Sequence, residues 1–396
     1  MKFTADRKRL LNATKIALRA VGNRKDFPEI GGVLVEADEG TGTLFVTGTD
    51  SHTQIQCRFR EGHILSGGAA LLSPRVVDML RLLSEDTVSI ELDGKVVVIQ
   101  SGSTQFTVPT MDVQAFPKTI LPFPEDTICI RNIQALVRRT AVAADNHPQE
   151  PNKVSQQFIK LSFECDHTTA EATNGCIAAI TESPHGADGK LDLILHEKAL
   201  QILTDIVGAS DELYVGVVGN CAVFMKEDLV FTTTLYTGSY FNGSKLVEAI
   251  RPVYQATVDA KELYALTLNV TTLFTPKDDH CVDLYVTEDR LILQTQTGLG
   301  VSRAAIPAVH TTPTPSDGFH YHPQWLQDCL RQTSGSLTLR MDAKGFLLIE
   351  ANRSRYFISP RGPVNIFVED PKAEKANVKP KSKTRSKTKS KSKCAA

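Results

Sequence analysis

The sequence predicts an α+β fold in which one arrangement, a capped amphipathic helix followed by alternating strands, recurs six times between residues 1 and 368. Two observations carry this. Apolar residues switch between three-and-four spacing and strict alternation at roughly regular intervals, which marks helices giving way to half-buried strands. A short polar signature also returns where strand pairs end: Thr47-Gly48-Thr49-Asp50-Ser51, Ala172-Thr173-Asn174-Gly175 and Thr295-Gln296-Thr297-Gly298. Such self-similarity outranks any single residue as a guide to architecture.

Taken in order, the first helix is expected over residues 6 to 21 and is followed by a strand pair. The second begins at Ser73-Pro74, since proline at the first helical position forgoes only an N–H that has no partner there. Its stripe is Val76, Leu80 and Leu83. Strands follow over Val88 to Leu92, Val96 to Ile99 and Phe106 to Val108, with Asp93-Gly94 at a hairpin turn. The third helix covers residues 132 to 144. The fourth starts near Leu195, buries Leu200, Leu203 and Val207, and meets Gly208 as a stop; its strands are Leu213 to Val218, Ala222 to Met225 and Val230 to Thr233, turning at Gly219-Asn220. The fifth covers residues 259 to 270, with Asp259 and Glu262 in capping-box spacing. The sixth opens at His322-Pro323, and its strands run from Ser336 to Met341, Leu347 to Glu350 and Tyr356 to Ser359. Six half-units then make three domains of ordinary size, residues 1–125, 126–252 and 253–368, with residues 369–396 as a separate tail.

Several of these strings, taken in order, resemble one family. The opening Met1-Lys2-Phe3-Thr4, the Thr47-Gly48-Thr49-Asp50 stretch, Ser101-Gly102 with Phe106-Thr107-Val108-Pro109-Thr110 and Phe116-Pro117, and the later Thr173-Asn174-Gly175 are similar to the bacterial DNA polymerase III beta subunit, the sliding clamp. The resemblance covers about residues 1 to 368. It implies three clamp-type domains per chain, a head-to-tail homodimeric ring with helices lining the hole and sheets outside, and a non-catalytic subunit that encircles duplex DNA and tethers a polymerase. The implied partners are double-stranded DNA, the polymerase III catalytic subunit, a clamp loader and other proteins carrying clamp-binding peptides. No cofactor is implied, and the implied location is the cytoplasm, at the nucleoid.

Charge fits such a ring. Residues 1–368 hold 34 basic against 42 acidic groups, whereas the last 28 residues hold ten basic and three acidic. A net-acidic body cannot grip DNA everywhere, and a sliding ring needs only a modestly positive bore, because phosphate contact is independent of sequence. Basic residues on the helices are Arg7, Lys8, Lys15, Arg19, Arg75, Arg81, Arg138, Arg139, Lys198 and Arg331; ordinary solvated helix faces would look the same. Of these, Arg75, Arg138, Arg139 and Lys198 are taken as DNA-facing, together with Arg24, which matches a DNA-contacting arginine of the family. From Lys379 a basic residue stands at every second position through Lys381, Lys383, Arg385, Lys387, Lys389, Lys391 and Lys393, with nothing apolar to bury. That composition predicts disorder and either a salt-dependent DNA arm or a solubilising tail.

The resemblance also implies a peptide pocket between the second and third domains, at Phe158, Thr173, Gly175, Cys176, Ile177, Phe241, Lys245, Leu246, Phe357, Ser359, Pro360 and Arg361. Its wall departs from the family: the usual Thr-Asp-Gly-His-Arg-Leu reads Thr173-Asn174-Gly175-Cys176-Ile177-Ala178, the usual Met-Pro-Met-Arg reads Ser359-Pro360-Arg361-Gly362, and Lys245 replaces an arginine, losing bidentate donation. For the ring contact, the resemblance points to Phe106 and Val108 meeting Leu273 and Phe274 of a second copy.

Other classes find little support. Eight cysteines are scattered without a Cys-x-x-Cys pair, no phosphate-binding or nucleophile-elbow motif is present, and no His-Glu-x-x-His occurs, so no catalytic and no metal-ligating residue is assigned. A signal peptide is not expected, and no apolar run approaches 18 residues. Two alternatives remain at this level: a divergent paralogue serving repair or a plasmid or phage polymerase, and a DNA-binding scaffold that never closes into a ring and binds through its tail.

Overall fold

A computed structural model describes residues 1–22, 28–60, 63–145, 151–276, 280–310 and 318–363. Arg24 and the tail residues Lys381, Lys383, Arg385, Lys387, Lys389, Lys391 and Lys393 lie outside the described residues. The first pair of half-units contains β1 (Lys2–Asp6), α1 (Arg7–Ala17), β2 (Val33–Asp38), β3 (Thr43–Thr49), β4 (Thr53–Arg60), β5 (His63–Ser66), β6 (Gly68–Leu72), α2 (Val76–Leu82), β7 (Thr87–Asp93), β8 (Val96–Ser101) and β9 (Thr104–Pro109). The second contains β10 (Ile128–Ile130), α3 (Ile133–Thr140), β11 (Phe158–Phe163), β12 (Thr168–Thr173), β13 (Ile177–Ser183), β14 (Leu191–His196), α4 (Glu197–Ile206), β15 (Leu213–Val218), β16 (Cys221–Lys226) and β17 (Leu229–Thr234), followed by a connecting helix α5 (Gly243–Ala249). The third contains β18 (Pro252–Asp259), α6 (Ala260–Val270), β19 (Val282–Val286), β20 (Arg290–Thr297), β21 (Gly300–Pro307), β22 (Val309–His310), β23 (Phe319–Tyr321), α7 (Pro323–Arg331), β24 (Ser336–Asp342), β25 (Leu347–Ala351), β26 (Ser354–Ile358) and β27 (Gly362–Pro363).

Every half-unit is therefore a strand, a helix and a three-strand meander. The leading strand is what the periodicity alone missed, because it runs into the helix with at most three residues between. Its pairing explains why half-units come in twos. β1 pairs with β7 of the following half-unit, while β6, leading that one, pairs back with β2. The same exchange joins β10 to β15 and β14 to β11, then β18 to β24 and β23 to β19. Neither half completes its sheet alone, so the two halves of each pair are interlocked.

The units then fuse edge to edge. β4 pairs with β17, making an eight-stranded sheet across the first junction, and β13 pairs with β26, making a nine-stranded sheet across the second. Two five-stranded sheets remain at the ends, one closing on β9 and the other on β21. All named strand pairs are antiparallel, as the alternating patterns required.

Helices cover the sheets on their apolar stripes. Leu10, Ala13 and Ala17 of α1, Leu136 and Val137 of α3, and Leu263, Leu266 and Val270 of α6 are buried in one continuous core. Gly48 shows why the first signature contains glycine: a Cβ there would meet the Ala17 carbonyl oxygen at 2.0 Å, so α1 could not end so close to β3. The signatures themselves are hairpin turns. Thr49 Oγ1 donates to the Thr53 carbonyl at 2.9 Å and Asp50 Oδ1 accepts from the amides of His52 and Thr53. In the second copy Thr173 and Asn174 repeat both contacts on Ile177 and on the amides of Cys176 and Ile177.

Two helix boundaries correct the sequence reading. Pro74 does not open α2; residues 74 and 75 form a turn, and Arg75, in a right-handed conformation, is the N-cap. Gly208 does not terminate α4 in a left-handed conformation; Val207 caps it with extended backbone, and the Gly208 amide donates to Asp211 at 2.6 Å. Pro323 opens α7, and the Asp259 carboxylate accepts from the amides of Lys261 and Glu262 at the start of α6, both as expected.

Candidate functional site: a cleft at the second junction and a basic helix face

The cleft lies where β13 and β26 pair. Ala178 sits opposite Phe357 and Ile177 opposite Ile358, so the sheet seam is its floor. α5 forms one wall. Asn242 Oδ1 accepts from the Lys245 amide at 3.0 Å to start the helix, and Phe241, Leu246, Val247 and Ile250 pack on Ala178, Ile180, Leu348 and Phe357. Gly243 allows this seating, because a Cβ would meet Ile180 Cδ1 at 2.6 Å and Glu171 Oε1 at 2.7 Å. Burial raises the Glu171 carboxyl above its usual range, opposed by Lys160 and by the Gly243 amide. The opposite wall is the β24–β25 turn, in which Asp342 Oδ1 accepts from the amides of Lys344 and Phe346 at 2.9 Å each. The cleft has a volume of about 900 Å³, within the roughly 300–1,000 Å³ range of ligand sites.

Nine of the twelve residues assigned from the resemblance line this cleft: Thr173, Gly175, Cys176, Ile177, Phe241, Lys245, Leu246, Phe357 and Ser359. Phe158, Pro360 and Arg361 do not. The Phe158 ring lies tilted 4.6 Å from Tyr236 and edge-on 5.2 Å from His196, and its carbonyl accepts from the Tyr240 hydroxyl at 2.6 Å, so it props the connecting segment from behind. Arg361 turns to the third unit: its amide donates to the His320 carbonyl at 2.7 Å and its guanidinium points at Cys281. Sequence reasoning missed Arg251 and Val253 beyond α5, and Asp342, Lys344 and Phe346 in the turn. The helical spacing of Leu246, Val247 and Ile250 behind Asn242 was the signal that could have found that wall; nothing local announces the turn, which reaches the cleft through the β13–β26 pairing.

On the helix side, α1 packs with α2, α3 with α4 and α6 with α7, and an Arg19–Asp205 ion pair at 3.1 Å carries the layer across the first junction. Arg75, Arg138 and Lys198 are exposed and have no acidic partner among the described residues; Lys15 is the same. Arg139 differs. Its guanidinium donates to the carbonyls of Asn352 (2.8 Å) and Glu182 (3.2 Å) and faces Ser354, tying α3 to the third unit across the second junction. That employment takes it out of the DNA-facing set. Lys8, Arg19, Arg81 and Arg331 each hold a carboxylate, and Arg7 donates to the backbone of Glu85 and Leu80.

At β9 and β21, the meander strands at the edges of the two five-stranded sheets, Phe106 and Val108 are half-buried on one face of β9 and pack on the core. Leu273 ends a 3-10 turn beside β21, and Phe274 stacks 5.0 Å from His280.

Residues 1–121 match the family described as DNA polymerase III beta subunit, N-terminal domain. The beta sliding clamp of Micrococcus luteus is 26% identical over 305 residues, 75% of this chain and 96% of that protein. The chain is similar to the beta sliding clamps. The similarity is distant: the beta sliding clamp of Proteus mirabilis is 30% identical over 248 residues, 61% of this chain and 66% of that one. Two solved beta clamps share the fold over more than nine-tenths of the chain. A putative DNA polymerase III beta subunit from Eubacterium rectale superposes with a TM-score of 0.84 at 18% identity, covering 92% of this chain and all of that one. The Bacillus subtilis sliding clamp gives 0.82 at 20%, covering 93% of this chain and all of that one.

Proposed function

We propose that two copies of this chain close head to tail into a ring that encircles duplex DNA and tethers a polymerase. The observation that carries this reading is that, of the last meander strands of the six half-units, β9 and β21 alone have no edge partner among the described residues. Both internal junctions follow one rule: the last meander strand of one unit's first half pairs with the last meander strand of the next unit's second half, as β4 does with β17 and β13 with β26. Applied once more, the rule pairs β21 with β9 of another copy. Each end sheet has five strands, and their union would be a ten-stranded sheet spanning the contact as the eight- and nine-stranded sheets span the junctions within the chain. Unpaired edges left exposed invite uncontrolled association, and a ring removes both.

In this ring Arg75, Arg138, Lys198 and Lys15 face phosphates from the helix layer, and sequence-independent charge contact permits sliding. The cleft takes short peptides of the polymerase and loader by inserting apolar anchors between α5 and the β24–β25 turn. No catalytic step belongs to the chain. The replaced wall, Cys176-Ile177-Ala178, favours a peptide different from that of the common family members, and hence a polymerase of its own as a second reading.

Loading onto a nicked circular plasmid with a bacterial clamp loader tests the ring. The protein, whole or ending at residue 368, should stay with the circle through gel filtration and leave it when the plasmid is linearised. Equal retention on linear and circular DNA, lost with the tail, would instead support the scaffold.

A further inference from the structure

The cleft is apolar and open, and the charge around it is unbalanced. Phe346 and Val253 line it while 38% and 49% exposed. Lys245, Arg251 and Lys344 stand at its rim without an acidic partner among the described residues; Arg251 reaches only the backbone carbonyls of Glu248 and Ile250. The lining carboxylate, Asp342, is engaged by the turn amides of Lys344 and Phe346. The complementary ligand is therefore a short segment with apolar anchors beside carboxylates.

The chain itself carries such a segment close by. Ser359 lines the cleft, and three and four residues later the last described strand pairs Gly362 with His320 and Pro363 with Phe319. The Phe319 ring lies against Gly345, where a Cβ would come within 2.2 Å of it, and Gly345 stands between Lys344 and Phe346 of the cleft wall. The described chain thus ends one side chain away from the cleft. Its next residues are Val364-Asn365-Ile366-Phe367-Val368-Glu369-Asp370: four apolar side chains, then two acids. Seven residues reach up to about 25 Å when extended.

We propose that residues 364–370 are a ligand of this cleft, occupying it until a partner's peptide displaces them. The inference rests on the peptide-cleft reading above and adds a competitor to it. A tethered ligand acts at an effective concentration on the order of millimolar, so weak partner peptides would be turned away and tight ones admitted.

The test compares the full chain with its Ile366→Asp/Phe367→Asp variant, using a fluorescein-labelled heptapeptide Val-Asn-Ile-Phe-Val-Glu-Asp as the probe. The variant should bind the probe at least tenfold more tightly than the unaltered chain. Adding Leu246→Asp should abolish binding, and a probe ending in Lys-Lys should bind more weakly at low salt, with the difference shrinking as salt rises. Equal affinity in both proteins, binding to neither, or binding that survives Leu246→Asp would overturn the proposal. The effect of Leu246→Asp on polymerase stimulation tests the cleft itself. Stimulation lost with Leu246→Asp, alongside equal probe affinities, would leave the cleft standing and remove its internal competitor alone.

Discussion

The Asp211 carboxylate organises the turn after α4 from two sides, accepting from the Gly208 amide at 2.6 Å and pairing with Lys226 at 2.5 Å. Lys226 first and the amide second hold its acidity below the ordinary aspartate range. A carboxyl depressed in the folded state contributes stability above its unfolded pKa, and loses it as pH falls through the folded value. Asp211→Asn should therefore cost roughly 1–2 kcal/mol near neutral pH, and thermal melts should converge with those of the unaltered protein in strong acid. A constant gap at every pH would mean that Asp211 acts through shape alone. Residues of this kind were not legible beforehand, since Gly208 read as a helix stop and nothing local announced that it would donate to a side chain three positions on. Arg139 teaches the same point: from the sequence it is one more basic residue on a helix, and only the second junction shows that it is spent on the carbonyls of Asn352 and Glu182.

Among elements, the helices and meanders were legible because period and turn chemistry are local. Asp93-Gly94 and Gly219-Asn220 turn where the pattern placed them, with Gly94 at φ +59° and Gly219 at φ +60°. The leading strands were not, since β10 and β23 have three residues each and owe their existence to partners some 80 and 40 residues away in sequence. α5 was also unread, although its Lys245, Leu246 and Ala249 line the cleft together with the flanking Asn242 and Ile250. The end strands β9 and β21 carry the most direct consequence. If their edges meet between copies, Leu273 and Phe274 beside β21 pack against Phe106 and Val108 of the partner. The Leu273→Ala/Phe274→Ala variant should then run as a monomer in size-exclusion chromatography at micromolar concentration, with circular dichroism unchanged; a variant still eluting with the unaltered protein would remove these two residues from the contact.

For the whole molecule, one rule of edge pairing used twice inside the chain leaves one copy of itself unsatisfied, and this explains both the two half-sheets and the head-to-tail closure proposed for them. Strand exchange within units, fusion between units and closure between copies are the same antiparallel hydrogen bonding at three ranges. The sequence shows the repeat that makes the rule possible; it cannot show which edges are left over, because that depends on pairings between residues more than 170 apart, such as Thr53 with Thr233 and Ile177 with Ile358. The solution mass by sedimentation equilibrium, at moderate salt, with and without residues 369–396, tests this most directly. The expected result is twice the 43.4 kDa of the chain, unchanged in proportion when the tail is removed. A persistent single-chain mass at micromolar concentration would contradict the ring.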